Sequence, residues 1–169
     1  MRRRPEGGAS KTTMKKLNFC KNQLSSGLLT SAIYGITLIS LTLWGLNEFS
    51  GIAIFVWSIA QIFLGTGVLC LYRHQRIPRW GAVGAILIFS GIVTLLPSSL
   101  FVSHTVQALA LTGFSLVLFD LEKINGIPLQ LPGGMIFLAV IGSILNTPLM
   151  SFAGIVLLTL GSIVALKRI

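Results

Sequence analysis

Charge is what this chain lacks. No Asp, Glu, Lys or Arg occurs from Asn22 to Asn47, from Phe49 to Tyr72, from Trp80 to Phe119 or from Ile124 to Leu166, and all 169 residues include only four acidic ones. With 10% charged residues, 53% hydrophobic ones and a mean hydropathy of +0.86, there is too little polar surface to coat a water-exposed shell. Lipid is the expected solvent. Each of the last two uncharged windows is long enough for two crossings, because a helix spans the hydrocarbon core with roughly 20 residues.

Other absences exclude chemistry. The sequence holds no H-E-x-x-H, no G-x-S-x-G, no Walker glycine loop and no pair of facing intramembrane carboxylates. Gly133-Gly134 is too short to cradle phosphate. No enzyme activity is expected, and no cofactor. Cys, His, Asp and Glu never fall at metal-ligand spacing, so neither catalytic nor metal-binding residues are predicted. Of the two cysteines, Cys20 precedes the first predicted span and Cys70 lies near the inner end of the second. Both fall on the side expected to be reducing, which argues against a structural disulfide. Inert thiols are the preferred reading, with lipidation of juxtamembrane Cys20 as the alternative.

What is present is punctuation. Pro97-Ser98-Ser99 breaks one long apolar window and Asn146-Thr147-Pro148 the other, each removing a backbone donor and favouring a turn. The predicted fold is all-α: a polytopic bundle of six transmembrane helices at about 27–46, 51–72, 80–96, 104–119, 132–145 and 149–166. It occupies residues 24–169, after a basic amino-terminal segment, 1–23, expected to be disordered over 1–13. Helices three, four and five are short for a span. Lys15 and Lys16 before an apolar stretch resemble a secretory signal, but with no A-x-A cleavage site the stretch reads as a retained first helix. Met14-Lys15-Lys16 would also make an ordinary start.

The basic residues then set the orientation. Arg2, Arg3, Arg4, Lys11, Lys15, Lys16 and Lys21 precede helix one, Arg73, Arg76 and Arg79 follow helix two, Lys123 follows helix four, and Lys167 and Arg168 follow helix six. The turns near Asn47 to Ser50, Pro97 to Ser103 and Asn146 to Pro148 have none. Basic loops stay in the cytoplasm, so both ends are expected there, in a multi-pass protein of the cell (inner) membrane. Insertion thus accounts for most of the +9 charge and the pI near 10.4. A nucleic-acid partner is not expected, since no aromatic-basic interleaving accompanies the charge. Lys15, Lys16, Lys21, Arg73, Arg76 and Arg79 are instead candidate headgroup contacts, with about 1 kcal/mol per residue near an anionic surface. Trp44, Tyr72 and Trp80 fall at the expected interfaces, and Trp57 lies deeper.

Ionisable groups are absent from mid-depth. Glu48, His104, Asp120 and Glu122 sit at span ends, where an interfacial anchor is a better reading than a proton path. The polar groups within the spans are hydroxyls and two amides, Gln61 and Gln107. These are the candidate intramembrane contacts, expected to join helices with roughly 0.6 to 2 kcal/mol each or, as the alternative, to line a permeation path. Small-residue patches at Gly65, Gly67, Gly81, Gly84, Gly91, Gly142, Gly154 and Gly161 allow close helix approach, either within one chain or toward a second copy or another membrane subunit.

Evenly spaced glycines hint at three repeated hairpins. Gly65, Gly113 and Gly161 fall in the second helix of each, and Gly35, Gly84 and Gly133 in or at the start of the first. Phe-Leu-Gly-Thr at 63–66, Leu-Thr-Gly-Phe at 111–114 and Thr-Leu-Gly-Ser at 159–162 lie at comparable depth, and a glycine precedes each turn proline at Pro97 and Pro148. This outline resembles the HdeD-type family of small bacterial membrane proteins, although Asn47-Glu48-Phe49-Ser50 stands where the first turn proline belongs. The resemblance implies an acid- or envelope-stress role and carries no catalytic motif. Two classes of function follow: a non-catalytic stress or assembly protein, and a small transporter or channel for a solute or protons.

Overall fold

The computed structural model describes residues 11–45, 50–96, 100–145 and 147–169. The expected turns at Asn47 to Phe49, Pro97 to Ser99 and Asn146, the acidic Glu48, and Arg2, Arg3 and Arg4 lie outside the described residues. Among the described residues there are six helices and no strand: α1 (Lys11–Trp44), α2 (Ser50–Gln75), α3 (Pro78–Leu95), α4 (Leu100–Asn125), α5 (Gln130–Ile144) and α6 (Pro148–Arg168).

Five of these carry a stretch long and apolar enough to cross a bilayer: Phe19–Trp44, Gly51–Gln75, Pro78–Leu95, Ser103–Ile124 and Pro148–Arg168. Helix α5 is equally apolar but has 15 residues. At 1.5 Å per residue it covers about 22 Å, less than the roughly 30 Å of hydrocarbon. Large apolar side chains point outward all around, among them Leu29, Ile36, Phe55, Phe89, Leu116 and Leu138, each at least 50% exposed. A surface of that kind is stable against lipid and aggregates in water. The chain is an integral, multi-pass helical membrane protein in a lipid environment.

Helix starts follow local chemistry. Thr147 caps α6, its hydroxyl accepting from the Met150 amide at 3.3 Å, and Pro148 takes the first helical position, where a missing N–H removes nothing. Pro78 does the same for α3. Between α2 and α3 the chain reverses through Arg76, whose φ of 53° is left-handed. Gly126 takes φ 67° at the end of α4, its amide donating to the Glu122 carbonyl at 2.8 Å, an αL termination that glycine adopts freely.

Two helices outrun their sequence-based limits. Helix α1 begins at Lys11, well ahead of Gly27, and α4 runs through Asp120, Glu122 and Lys123 to Asn125 instead of stopping at Phe119. Helical geometry is satisfied by its own backbone bonds, so it continues past the hydrocarbon boundary into the polar zone wherever no breaker intervenes.

In chain order each helix packs on the next, and α6 returns to α1, so the six close into a ring. Its interior is apolar: Leu28, Leu64, Val68, Phe114, Val117 and Ile136 are at most 2% exposed. Glycines set the seams. A Cβ on Gly65 would lie 2.7 Å from the Gly84 carbonyl oxygen, one on Gly67 2.9 Å from the Leu24 amide nitrogen, and one on Gly142 2.8 Å from the Met150 carbonyl oxygen. The expected small-residue patches at these positions therefore serve contacts within one chain, where dispersion between close backbones replaces the missing hydrophobic drive.

Candidate functional site

Two cavities lie at opposite ends of the bundle, named outer and inner after the orientation expected from the sequence. The outer one, about 220 Å³, is bounded by α1, α2, α4, α5 and α6 and lined by Tyr34, Trp57, His104, Gln107, Ser143 and Ser151 among others. The inner one, about 270 Å³, is lined by Lys21, Leu24, Leu71, Gln75, Leu121 and Leu129 among others. The side chains of Leu28, Ala60, Leu64, Phe114, Ile136 and Ala165 belong to one buried cluster with residues that line both cavities.

The outer cavity joins an apolar wall to a few polar groups. The rings of Tyr34 and Trp57 stack with centroids 4.8 Å apart and planes at 30°. Across from them, the Gln107 side chain donates to the Thr94 hydroxyl at 3.1 Å, and Thr94 in turn donates to the Ser90 carbonyl at 2.7 Å. Gln107 thus both ties α4 to α3 and faces the cavity. No described acidic or basic group other than His104 lines this cavity. Its chemistry fits a small uncharged molecule with one apolar face and one or two hydrogen-bonding groups.

Gln61 lies one turn below Trp57 on the same face of α2. It is fully buried, and neither its amide nitrogen nor its amide oxygen has a hydrogen-bond partner. The Ser90 hydroxyl, on α3, is likewise buried and unpaired. At the same level the Ser58 hydroxyl donates to the Gly91 carbonyl, and the Gln61 Cβ lies 3.4 Å from where a Cβ on Gly91 would stand. The sequence expectation of an interhelical bond from Gln61 is not met among the described residues. A buried primary amide without partners forfeits roughly 1–3 kcal/mol, and here it sits at the contact between α2 and α3, the helix that carries the unpaired Ser90 hydroxyl.

The opposite end is polar and tied. Asp120, 8% exposed, takes a two-pronged ion pair from Arg79, with Nη2 and Nε each 2.8 Å from a carboxylate oxygen, and a third bond from the Trp80 indole at 3.0 Å. Trp80 is wholly buried against the neighbouring helices rather than open to the surroundings, at the polar end of α3 beside the basic loop. Trp44, by contrast, is 79% exposed at the far end of α1. The Glu122 carboxylate accepts from the Gln130 amide at the start of α5, where negative charge suits the free N–H groups, and Arg168 donates to the Pro128 carbonyl. Lys21, Arg73, Arg76, Arg79, Lys123 and Arg168 all fall at this end, as the ends of their helices require. Nothing is described of the Lys15 and Lys16 side chains.

Here too the structure departs from the sequence reading of the cysteines. Cys20 on α1 and Cys70 on α2 are joined by a disulfide, with Cα atoms 5.4 Å apart. The inert or lipidated thiol is thus replaced by a staple between the first two helices. His74, one turn beyond Cys70, brings its ring within reach: the two sulfurs and an imidazole nitrogen all lie within 4.8 Å of one another. No metal-ligand spacing was expected from the sequence, yet Cys70 and His74 stand at helical i, i+4, and the third member, Cys20, comes from a different helix.

The geometry defines a multi-pass helical membrane protein with a mostly apolar cavity that carries a few polar groups. Comparison with protein-family models, with curated proteins and with solved structures gives no match for the chain.

Proposed function

We propose that this chain is a non-catalytic integral membrane protein that binds a small uncharged solute in its outer cavity and passes it along the ring axis, crossing the bilayer six times with both termini in the cytoplasm. The observation that carries this reading is the pair of cavities lined by residues from opposite ends of the helices, with the buried, unpaired amide of Gln61 one turn from Trp57, which lines the outer one. A bundle with only a scaffolding role gains nothing from an unsatisfied buried amide, whereas a solute path uses one as a transient partner. The three-hairpin repeat belongs to the same reading. Gly35, Gly84 and Gly133 each face the preceding helix of the ring, at Thr159 of α6, Leu69 of α2 and Phe119 of α4, the placement a threefold repeat requires.

The test is solute flux in liposomes carrying the purified protein, scanned over small polyols, amides and alcohols. At least one is expected to cross faster than in empty liposomes, with the gain removed by Gln107→Leu or Ser143→Leu. Permeability equal to that of empty vesicles across the series would contradict it. The stress-response setting rests on the HdeD-type resemblance, and unchanged acid survival of cells lacking the chain would remove it.

A further inference from the structure

The disulfide end of the ring is surrounded by cations that, in the proposed orientation, put it in the reducing compartment. A thiol reductant opens the Cys20–Cys70 bond seen in the structure, and the same geometry that permits the bond then leaves two thiols and an imidazole close to one another. We propose that Cys20, Cys70 and His74, in the dithiol state, form a binding site for a thiophilic d¹⁰ cation, Zn²⁺ or Cu⁺. The compartment argument rests on the proposed orientation; the site itself rests on the ligand geometry alone.

Three observations converge on it. The two sulfurs and one imidazole nitrogen lie within 4.8 Å of one another, and a zinc ion with Zn–S near 2.3 Å and Zn–N near 2.0 Å needs ligand atoms roughly 3.3–3.8 Å apart, a spacing that opening the S–S bond and small rotations about χ1 supply. Cys70 and His74 share one face of α2 at i, i+4, the spacing by which a single helix offers two ligands to one metal. Access exists as well: His74 is exposed, and Cys70 borders an open surface depression lined by Phe19, Thr66, Leu69, Tyr72 and Arg73. Cys20, wholly buried, supplies the anchor from α1. Two thiolates cancel the double charge of Zn²⁺, so the loaded site adds no net charge beside Lys21 and Arg73. Thiolate donors select Cu⁺ and Zn²⁺ over harder ions; Cu⁺ is satisfied by three ligands, and Zn²⁺ would take a water as its fourth.

Metal and disulfide exclude each other at these sulfurs. On loading with Zn²⁺, the two thiols release two protons to solvent and each sulfur gives a lone pair to the metal. A low-molecular-weight disulfide such as glutathione disulfide then takes two electrons from the sulfurs, becoming two glutathione thiols with two protons from solvent, while the Cys20–Cys70 bond forms and the cation leaves. The pair thus couples metal occupancy to thiol redox state at the junction of α1 and α2.

The experiment uses the full chain in detergent, reduced and freed of metal, titrated with Zn²⁺ against a chromophoric chelator and with Cu⁺ against bicinchoninate. One equivalent of at least one ion is expected per chain, absent in C20S and C70S. His74→Ala, at an exposed position that leaves the fold and the disulfide intact, is expected to weaken binding at least tenfold. Adding glutathione disulfide should release the ion in step with the loss of two thiols. Uptake of neither ion by the reduced wild type, equal affinity in His74→Ala, or metal retained after the thiols are gone would each overturn the proposal. None of these readouts depends on orientation or on solute flux.

Discussion

Trp80 and Asp120 meet between the start of α3 and the last turns of α4, the indole N–H donating to the carboxylate at 3.0 Å, both side chains withdrawn from solvent. Arg79 completes the group from the exposed side, with 68% of its side chain accessible. The buried bond and the exposed ion pair therefore contribute unequally.

Asp120→Ala strands a buried indole donor and is expected to destabilise the protein by about 1–3 kcal/mol. Arg79→Ala removes a largely solvated partner and is expected to lose about 1 kcal/mol or less. Reversible unfolding in mixed micelles measures both. Equal losses, or the reverse order, would show that the ion pair and not the indole bond holds α3 to α4 there.

Glycine substitutions separate seams from open positions. Gly65→Ala pushes a methyl group to 2.7 Å from the Gly84 carbonyl oxygen, and the α2–α3 contact must open, a loss of about 1–3 kcal/mol. Gly134→Ala meets nothing within 4 Å, and its effect is expected to stay within about 0.5 kcal/mol. Thermal unfolding in detergent reports the difference, and a neutral Gly65→Ala would refute the close seam.

Gln61→Leu removes a buried amide without a partner and is expected to raise stability by about 1 kcal/mol while reducing solute flux. A stabilised, permeable variant would detach Gln61 from transport. A destabilised one would show that the amide holds a partner inside the bundle.

Opening the Cys20–Cys70 bond frees a chain loop closed over a sequence separation of 50. The oxidised protein is expected to be about 2–4 kcal/mol more stable than the reduced, metal-free one. Unfolding with and without a phosphine reductant measures this, and C70S should show no dependence on the reductant.

The membrane character was legible because uncharged windows are a property of composition. The Asn146-Thr147-Pro148 break was likewise legible, and Pro148 opens α6 there, whereas Pro78, which opens α3, was not among the breaks read from the sequence. The polar ends were not legible. Asp120, Glu122 and Lys123 look like a helix terminus, but Arg79, Trp80 and the Gln130 amide absorb the two carboxylates, so α4 continues. The cysteine pair was hidden for a related reason. Only when α1 starts at Lys11 does Cys20 ride on the helix face that meets Cys70, and no local pattern reports a contact between residues so far apart in sequence. The outer cavity needs residues from five helices, so Gln107 could be named as a polar position without its companions Tyr34 and Trp57.

Helix α5 decides the account. With 15 residues it is the shortest of the six and falls below the usual span length, and whether it crosses fixes which side holds α6. Paired reporter fusions at Gly126, before α5, and at Thr147, after it, measure this directly in cells. Six crossings predict Gly126 on the cytoplasmic side and Thr147 on the outer side. Both positions on one side would make α5 a helix that enters and leaves by the same face, and would contradict the closed path from outer to inner cavity.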